Sequence, residues 1–352
     1  MRILLWHVHG SWTDAFVHGR HEYLLPALPG GGPWGLGRGG RDWPPSAREL
    51  GPEELADAEV DLVLLQRPEE REAAARLLGR TPGRDVPAVY VEHNTPRGDV
   101  PDSVHPLADQ RDIPLVHVTH FNRLMWDSGS APAEVIEHGI RDPGPLYTGE
   151  IPRLAFVGNE PVRRWRVTGA DLLAEFARTS PIDVFGMGAE DLQKATGLGS
   201  DRLRVLGDLP RCQLHRLMAR RRIYLHPVRW TSLGLSLLEA MHLAMPVLAL
   251  AATEAGRAVP PDAGTVSADP GELAAAAGRL LAEPEEAAAM GRAGRAFALE
   301  RYGLERFLRD WDELLDSLLP AASARTERTC HSTGSPGAAP RHREGEARWT
   351  SR

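Results

Sequence analysis

Apolar runs of strand length alternate with helix-period segments along most of this chain. The runs are RILLWHV, VDLVLLQ, AVYVEH, LVHVTH and EVIEHG, followed by RLAFVG, IDVFGMG, LRVLG, IYLHP and PVLALA. Each is almost continuously hydrophobic, the pattern of parallel strands covered on both faces rather than of strands with one wet face. Helical patterns fall between them, for example over Glu69–Leu78, Ala170–Arg178 and Leu214–Arg221. This alternation predicts doubly wound parallel α/β sheets. The 352 residues favour two domains, each with a sheet of about five strands.

The break falls in RDPGPLYTGEIP, a Pro- and Gly-rich stretch after the strand EVIEHGI. It sets a first domain over residues 1–145 and a second over 146–319, the latter including the closing helical segments after Pro270. Residues 320–352 carry almost no aliphatic side chains and are expected to be disordered, because too little surface can be buried to offset chain entropy. Leu28–Pro52 contains GGGPWGLGRGG; a loop of that length is either functional or disordered.

Composition narrows the function classes. A net charge of −7 argues against wholesale nucleic-acid binding. Two cysteines, Cys212 and Cys330, make neither a disulfide framework nor a metal site. No apolar run is long enough to span a membrane, and MRILLWHVHG lacks the features of a signal peptide. A cytoplasmic protein is expected. Lys194 is the single lysine, so arginine supplies the rest of the positive charge.

The most informative stretch is TSLGLSLLEAMHLAMPVLAL, Thr231–Leu250. Gly234 opens a helix whose first amides, on Leu235, Ser236 and Leu237, lack intrahelical partners and attract phosphate. Glu239 shares a helix face with Leu235, about 6 Å along the axis. A carboxylate there repels phosphate but can accept two hydrogen bonds from a ribose diol, the division of labour found in dinucleotide folds. The competing reading is an acid that only offsets the helix dipole.

LHPVRWTSLGLSLLEAMHLAMPVLAL resembles the retaining glycosyltransferases of family 4, which have the GT-B fold of two Rossmann-like domains facing a cleft. The resemblance extends to LRVLGDLPRCQLHRLMARRRIYLHP, to the closing segment from DPGEL to DELL, and to VIEHGI, covering roughly Val135 to Leu319. It is similar to actinobacterial members in particular. The first domain resembles the family in layout only.

The resemblance implies a donor nucleotide-diphospho-sugar, of a hexose or a heptose, bound mainly by the second domain. It implies a small-molecule or glycan acceptor on the first, transfer with retention, and no cofactor or metal. The nucleotide-binding positions it implies are Gly10, Leu209, Gly234, Leu235, Ser236 and Glu239. The family has two glutamates eight positions apart; here the second is Glu239 and the first is replaced by Thr231, which would face the donor sugar with one uncharged hydrogen bond. The usual Arg and Lys that clamp pyrophosphate fall near Asn159 and Thr168, and Arg163, Arg164 and Arg166 stand between them as substitutes, since a guanidinium fork binds two phosphate oxygens.

In the first domain, His93 of VYVEHNTP is placed at the carboxyl edge of its sheet. The family often has a cleft histidine here, which makes His93, with Thr231, the candidate for contact with the reacting sugar; a structural, backbone-bonded histidine is the alternative. His7 and His9 would share a strand face, as would Val118 and His120, so a metal-dependent hydrolase built on HVHG remains an alternative. The cluster RLMARRR is either a solvated helix face or a peripheral membrane contact. Two further readings on the same fold are a nucleotide-sugar epimerase and a noncatalytic nucleotide-sugar-binding protein, the second permitted by Thr231.

Overall fold

The computed structural model describes residues 1–319; the expected disordered tail, with Cys330, lies outside them. Two parallel sheets form. The first contains β1 (Arg2–Leu5), β2 (Glu22–Pro26), β3 (Ala47–Leu50), β4 (Leu62–Leu65), β5 (Ala88–Glu92), β6 (Leu115–His117) and β7 (Ala133–Val135), in the order β3-β2-β1-β4-β5-β6-β7. The second contains β8 (Ile151–Val157), β9 (Ile182–Phe185), β10 (Leu203–Gly207), β11 (Arg221–His226), β12 (Val247–Leu250) and β13 (Gly264–Ser267), in the order β10-β9-β8-β11-β12-β13.

Each sheet reverses its winding direction once, beside β1 in the first and beside β8 in the second. Ile3 registers with both Tyr23 and Leu62, and Leu154 with both Ile182 and Ile223. Such switch points leave a crevice at the carboxyl ends of the strands, where ligands of doubly wound folds bind. The central strands β4, β5, β9 and β12 are buried along their whole length, which is why they read as continuous apolar runs.

The sheets hold seven and six strands rather than about five each. Three strands escape the apolar-run criterion. EYLLP ends in a proline, AREL is exposed at its two central residues, and GTVS is half-buried. β3 and β13 are sheet edges, where one partner and partial burial suffice. The stretch Leu28–Pro52 therefore contains a strand and is anchored by Trp43, which is buried with its indole Nε1 donating to Asp14 Oδ1 at 3.1 Å.

Two helices shift from their sequence ranges. Arg211–Met218 begins earlier than expected and ends before Arg221, which opens β11; Ala170–Leu172 is a 3-10 turn ahead of the helix Leu173–Thr179. The helix Leu304–Leu318, assigned by chain order to the second domain, packs Phe307, Trp311 and Leu315 into the first-domain core beside Trp12, Phe16 and Tyr23. No helix among the described residues is long and apolar enough to cross a membrane.

Candidate nucleotide-sugar site

A cleft of about 670 Å³ lies where the carboxyl ends of the two sheets face each other, lined by residues of both. Its second-domain wall is the start of the helix Leu235–His242. The amides of Leu235 and Ser236 donate to no described group, so the helix presents free donors and its positive dipole end to the cleft. Gly234 is required by packing: a Cβ there would lie 2.4 Å from the His226 ring, which ends β11. Burial pushes the His226 imidazole down to a pKa of about 4, so it contributes no charge. The Ser236 hydroxyl accepts from the Tyr224 hydroxyl at 2.8 Å, leaving its amide for a ligand.

Glu239 lines the same wall and is 6% exposed. The helix has no acid in its first turn. Glu239 stands beyond the reach over which a side chain offsets the dipole strongly, and this weighs against the dipole reading. Its carboxylate accepts no hydrogen bond from any described group; His215 Nε2 stands 3.5 Å away. A buried carboxylate without donors is costly, and a ribose diol would supply two.

The arginines divide. Arg163 and Arg164 line the cleft, on the loop after β8. Arg163 donates through Nε to Glu160 at 2.9 Å. Arg164 is half-buried, and its guanidinium has no hydrogen bond or ion pair with any described residue. Burial, then the positive charges of Arg163 and Arg97, lower its pKa. Arg166 turns outward to Asp171 at 2.9 Å, its side chain 74% exposed, and does not line the cleft. Asn159 and Thr168 do line it, but both have structural partners. Asn159 Oδ1 accepts from the Met187 amide, and the Thr168 hydroxyl donates to the Arg164 carbonyl. Leu209 lines the cleft beside Asp208 and Met187.

Opposite stands the first-domain wall. His93 is buried, and its ring lies 4.0 Å from that of His9 and 5.0 Å from the Trp12 indole. Gln66 Nε2 donates to the Trp6 carbonyl, so its Oε1 faces His93 Nε2 at 3.1 Å and accepts from it. His93 Nδ1 is then a hydrogen-bond acceptor with no described partner. Burial is the main cause that holds the neighbouring imidazoles neutral: His93 is pushed well below its usual range, His9 to about 4 and His138 to about 3. Gly10 does not itself line the cleft. It lies between the lining residues His9 and Ser11, and a Cβ on it would come within 2.8 Å of the Arg41 guanidinium.

The expected shared strand faces do not form. β1 ends at Leu5, and His7 packs on Trp43 at 4.6 Å while His9 packs on His93. β6 ends at His117, and His120 opens a helix. Among the described residues no group of three or more His, Cys, Asp or Glu side chains could hold a metal ion.

The site also contains His138, which the sequence offered only as a possible metal ligand, and residues that sequence reasoning passed over: Arg41, Arg97, Arg211 and His226. Arg97 follows a strand end and could have been suspected from that alone. Arg211 pairs with Asp14 across the interdomain gap, which no local pattern reveals.

Residues 152–283 match the family model of glycosyl transferases group 1. The group 1 region thus spans most of the second sheet, the cleft helix with Glu239 and the arginine loop. No curated protein matches the chain. Solved structures resemble nearly all of it. Sucrose-phosphate synthase (tll1590) from Thermosynechococcus elongatus is 16% identical, with a TM-score of 0.69, over 90% of this chain and 99% of that one. Anabaena Alr3699/HepE in complex with UDP and glucose is 14% identical, with a TM-score of 0.66, over 90% and 99%. A glycosyltransferase from Rickettsia africae ESF-5 is 12% identical, with a TM-score of 0.65, over 91% and 98%. The two parallel-sheet domains around the group 1 region are the GT-B fold.

Proposed function

We propose that the protein is a cytoplasmic glycosyltransferase that moves a hexose or heptose from a nucleotide-diphospho-sugar to a small-molecule or glycan acceptor with retention. One observation carries this reading: the free amides of Leu235 and Ser236, the carboxylate of Glu239, which accepts no hydrogen bond from a described group, and the unpaired Arg164 line one cleft. They match, in order, a phosphate, a ribose diol and a second phosphate oxygen. The group 1 match over these residues supports it, and the Anabaena complex with UDP and glucose favours a uridine diphosphate hexose.

In this mechanism the acceptor hydroxyl attacks the anomeric carbon on the face that the diphosphate leaves. The C–O bond to phosphate breaks, its electron pair stays on the phosphate, and that oxygen takes the hydroxyl proton. The helix end and arginines stabilise the growing charge, so no dedicated base is needed. His93 Nδ1 accepts a sugar hydroxyl from the first-domain side, and Thr231 makes one uncharged hydrogen bond to the donor sugar.

Thermal shift with UDP, GDP and ADP is the first test. A ligand at 100 times its Kd should add about 2.7 kcal/mol of stability; no shift with any of the three overturns the reading. Thr231 favours a second reading, a noncatalytic donor-binding protein. Product analysis with the donor and candidate acceptors separates the two: transfer releases nucleoside diphosphate and a glycoside of unchanged anomeric configuration, whereas binding alone releases neither.

A further inference from the structure

The first domain carries a guanidinium into the part of the cleft that holds Arg163 and Arg164. Arg97 follows β5 in EHNTPRGD and lines the cleft together with those two residues. Its loop is held against the second domain by hydrogen bonds from both flanks of Thr231. Trp230 Nε1 donates to the Pro96 carbonyl at 2.9 Å, and the Ser232 hydroxyl to the His93 carbonyl at 2.8 Å. Within the first domain Trp126 Nε1 fixes the Asn94 carbonyl at 2.9 Å. The backbone that carries Arg97 is therefore fastened on both sides of the cleft.

The Arg97 side chain has no hydrogen bond or ion pair with any described residue, and neither does that of Arg164. Arg97 and Arg163 both act electrostatically on Arg164. Glu160, paired with Arg163, is the carboxylate that acts on Arg164; Asp208 and Glu239 also line the cleft. Immediately around Arg164, three guanidiniums and one carboxylate leave two positive charges without a counter-charge. That arrangement is repulsive until an anion enters, and two negative charges are what the diphosphate of a nucleotide sugar carries.

We propose that Arg97 is a third ligand of the donor diphosphate, supplied by the opposite domain, so that donor binding itself couples the two domains. The inference rests on the reading of the cleft as a nucleotide-sugar site. It predicts that the first domain, not only the group 1 region, contributes to diphosphate affinity.

The test is calorimetric binding of UDP and of uridine, or of the nucleoside diphosphate and nucleoside that stabilise the wild type best, to three proteins at one ionic strength. These are the wild type, Arg97→Gln and Arg111→Gln. Arg111 is an exposed first-domain arginine outside the cleft, so its variant reports the loss of one charge from the general field. The expected result is a loss of roughly 10-fold or more in diphosphate affinity for Arg97→Gln, with nucleoside affinity unchanged and the ligand-free melting temperature not lowered. Arg111→Gln should bind both ligands like the wild type. If Arg97→Gln loses no more diphosphate affinity than Arg111→Gln, or loses affinity for nucleoside and diphosphate equally, Arg97 is not a phosphate ligand, while the functional reading stands. If the wild type binds no nucleoside diphosphate, both fall.

Discussion

Two arginine clusters in the second domain make opposite use of the same side chain. At the amino-terminal ends of β8, β9 and β11, Asp183 is fully buried and accepts from Arg153 at 2.6 Å, Arg204 at 2.7 Å and Arg221 at 2.6 and 2.8 Å. At the carboxyl ends of the same sheet, Arg164 has no partner and faces a cleft with Arg163 and Arg97. Every guanidinium of the first cluster already donates to the one carboxylate, so none of the three needs a ligand. The second is incomplete and sits where the fold places ligands. Both clusters set three guanidiniums against one carboxylate, so what separates them is hydrogen bonding: an arginine cluster is informative about function when its guanidiniums lack partners.

Removing the counter-charge of the complete cluster should have the largest effect. Asp183→Ala leaves Arg221 buried and unpaired and should cost about 3–5 kcal/mol, read by urea unfolding. A loss under about 1 kcal/mol would mean that water replaces the carboxylate and that the cluster is not the structural one.

Acid should separate the two ends of the molecule. Between its folded pKa of about 4 and the ordinary 6.5, His9 binds fewer protons folded than unfolded. Its contribution is therefore lost as pH falls through that window, up to about 3 kcal/mol. His138 adds to the same trend, with a folded pKa of about 3. Asp183 behaves differently: burial alone would raise its pKa, but hydrogen bonds from Arg204 and Arg221 outweigh this and lower it. Its contribution is lost only as pH falls below the usual carboxylate range. Melting temperature should thus drop between pH 6.5 and 4, and His138→Phe should flatten the slope; an unchanged slope would show that His138 is not held neutral at a cost.

The cleft cluster should respond in binding rather than in stability. Glu239→Gln should lower donor affinity by roughly 10- to 100-fold through a lost charge-assisted bond of about 1.5–3 kcal/mol, with 2′,3′-dideoxynucleotides bound equally by wild type and variant. On the dipole reading the variant would instead lose about 0.3–1 kcal/mol of stability with affinity intact. Arg164→Ala should cost roughly 10-fold in diphosphate affinity and leave nucleoside binding alone; equal weakening of both would make Arg164 structural. The smallest effect belongs to Arg166→Ala. Its exposed pair with Asp171 should leave diphosphate affinity within about twofold, and a larger loss would return Arg166 to the clamp.

The cleft helix was legible because its signals are local: a glycine, open amides and an acid on one face lie within a few residues of each other. The strands β1, β4, β5, β8, β9, β11 and β12 were legible because burial on both faces demands unbroken apolar runs. β3 and β13 were not, since an edge strand needs no such run. Arg166 was grouped with Arg163 and Arg164 because the three are neighbours in sequence. The helix turn Trp165–Thr168 splits them, sending Arg166 to Asp171.

The order of apolar runs and helical segments by itself determined two parallel doubly wound sheets. Parallel strands must be covered on both faces, and only alternating helices cover them. The local grammar of Gly234–Glu239 determined that open amides and an acid stand together at one helix start. Only the tertiary structure decided which charges meet. Asp14 reaches Arg211, the closing helix returns to the first core, and Arg97 comes beside Arg164, all through contacts between segments far apart in the chain. Coulomb and packing energies depend on distance in space, and sequence position carries that information only within an element.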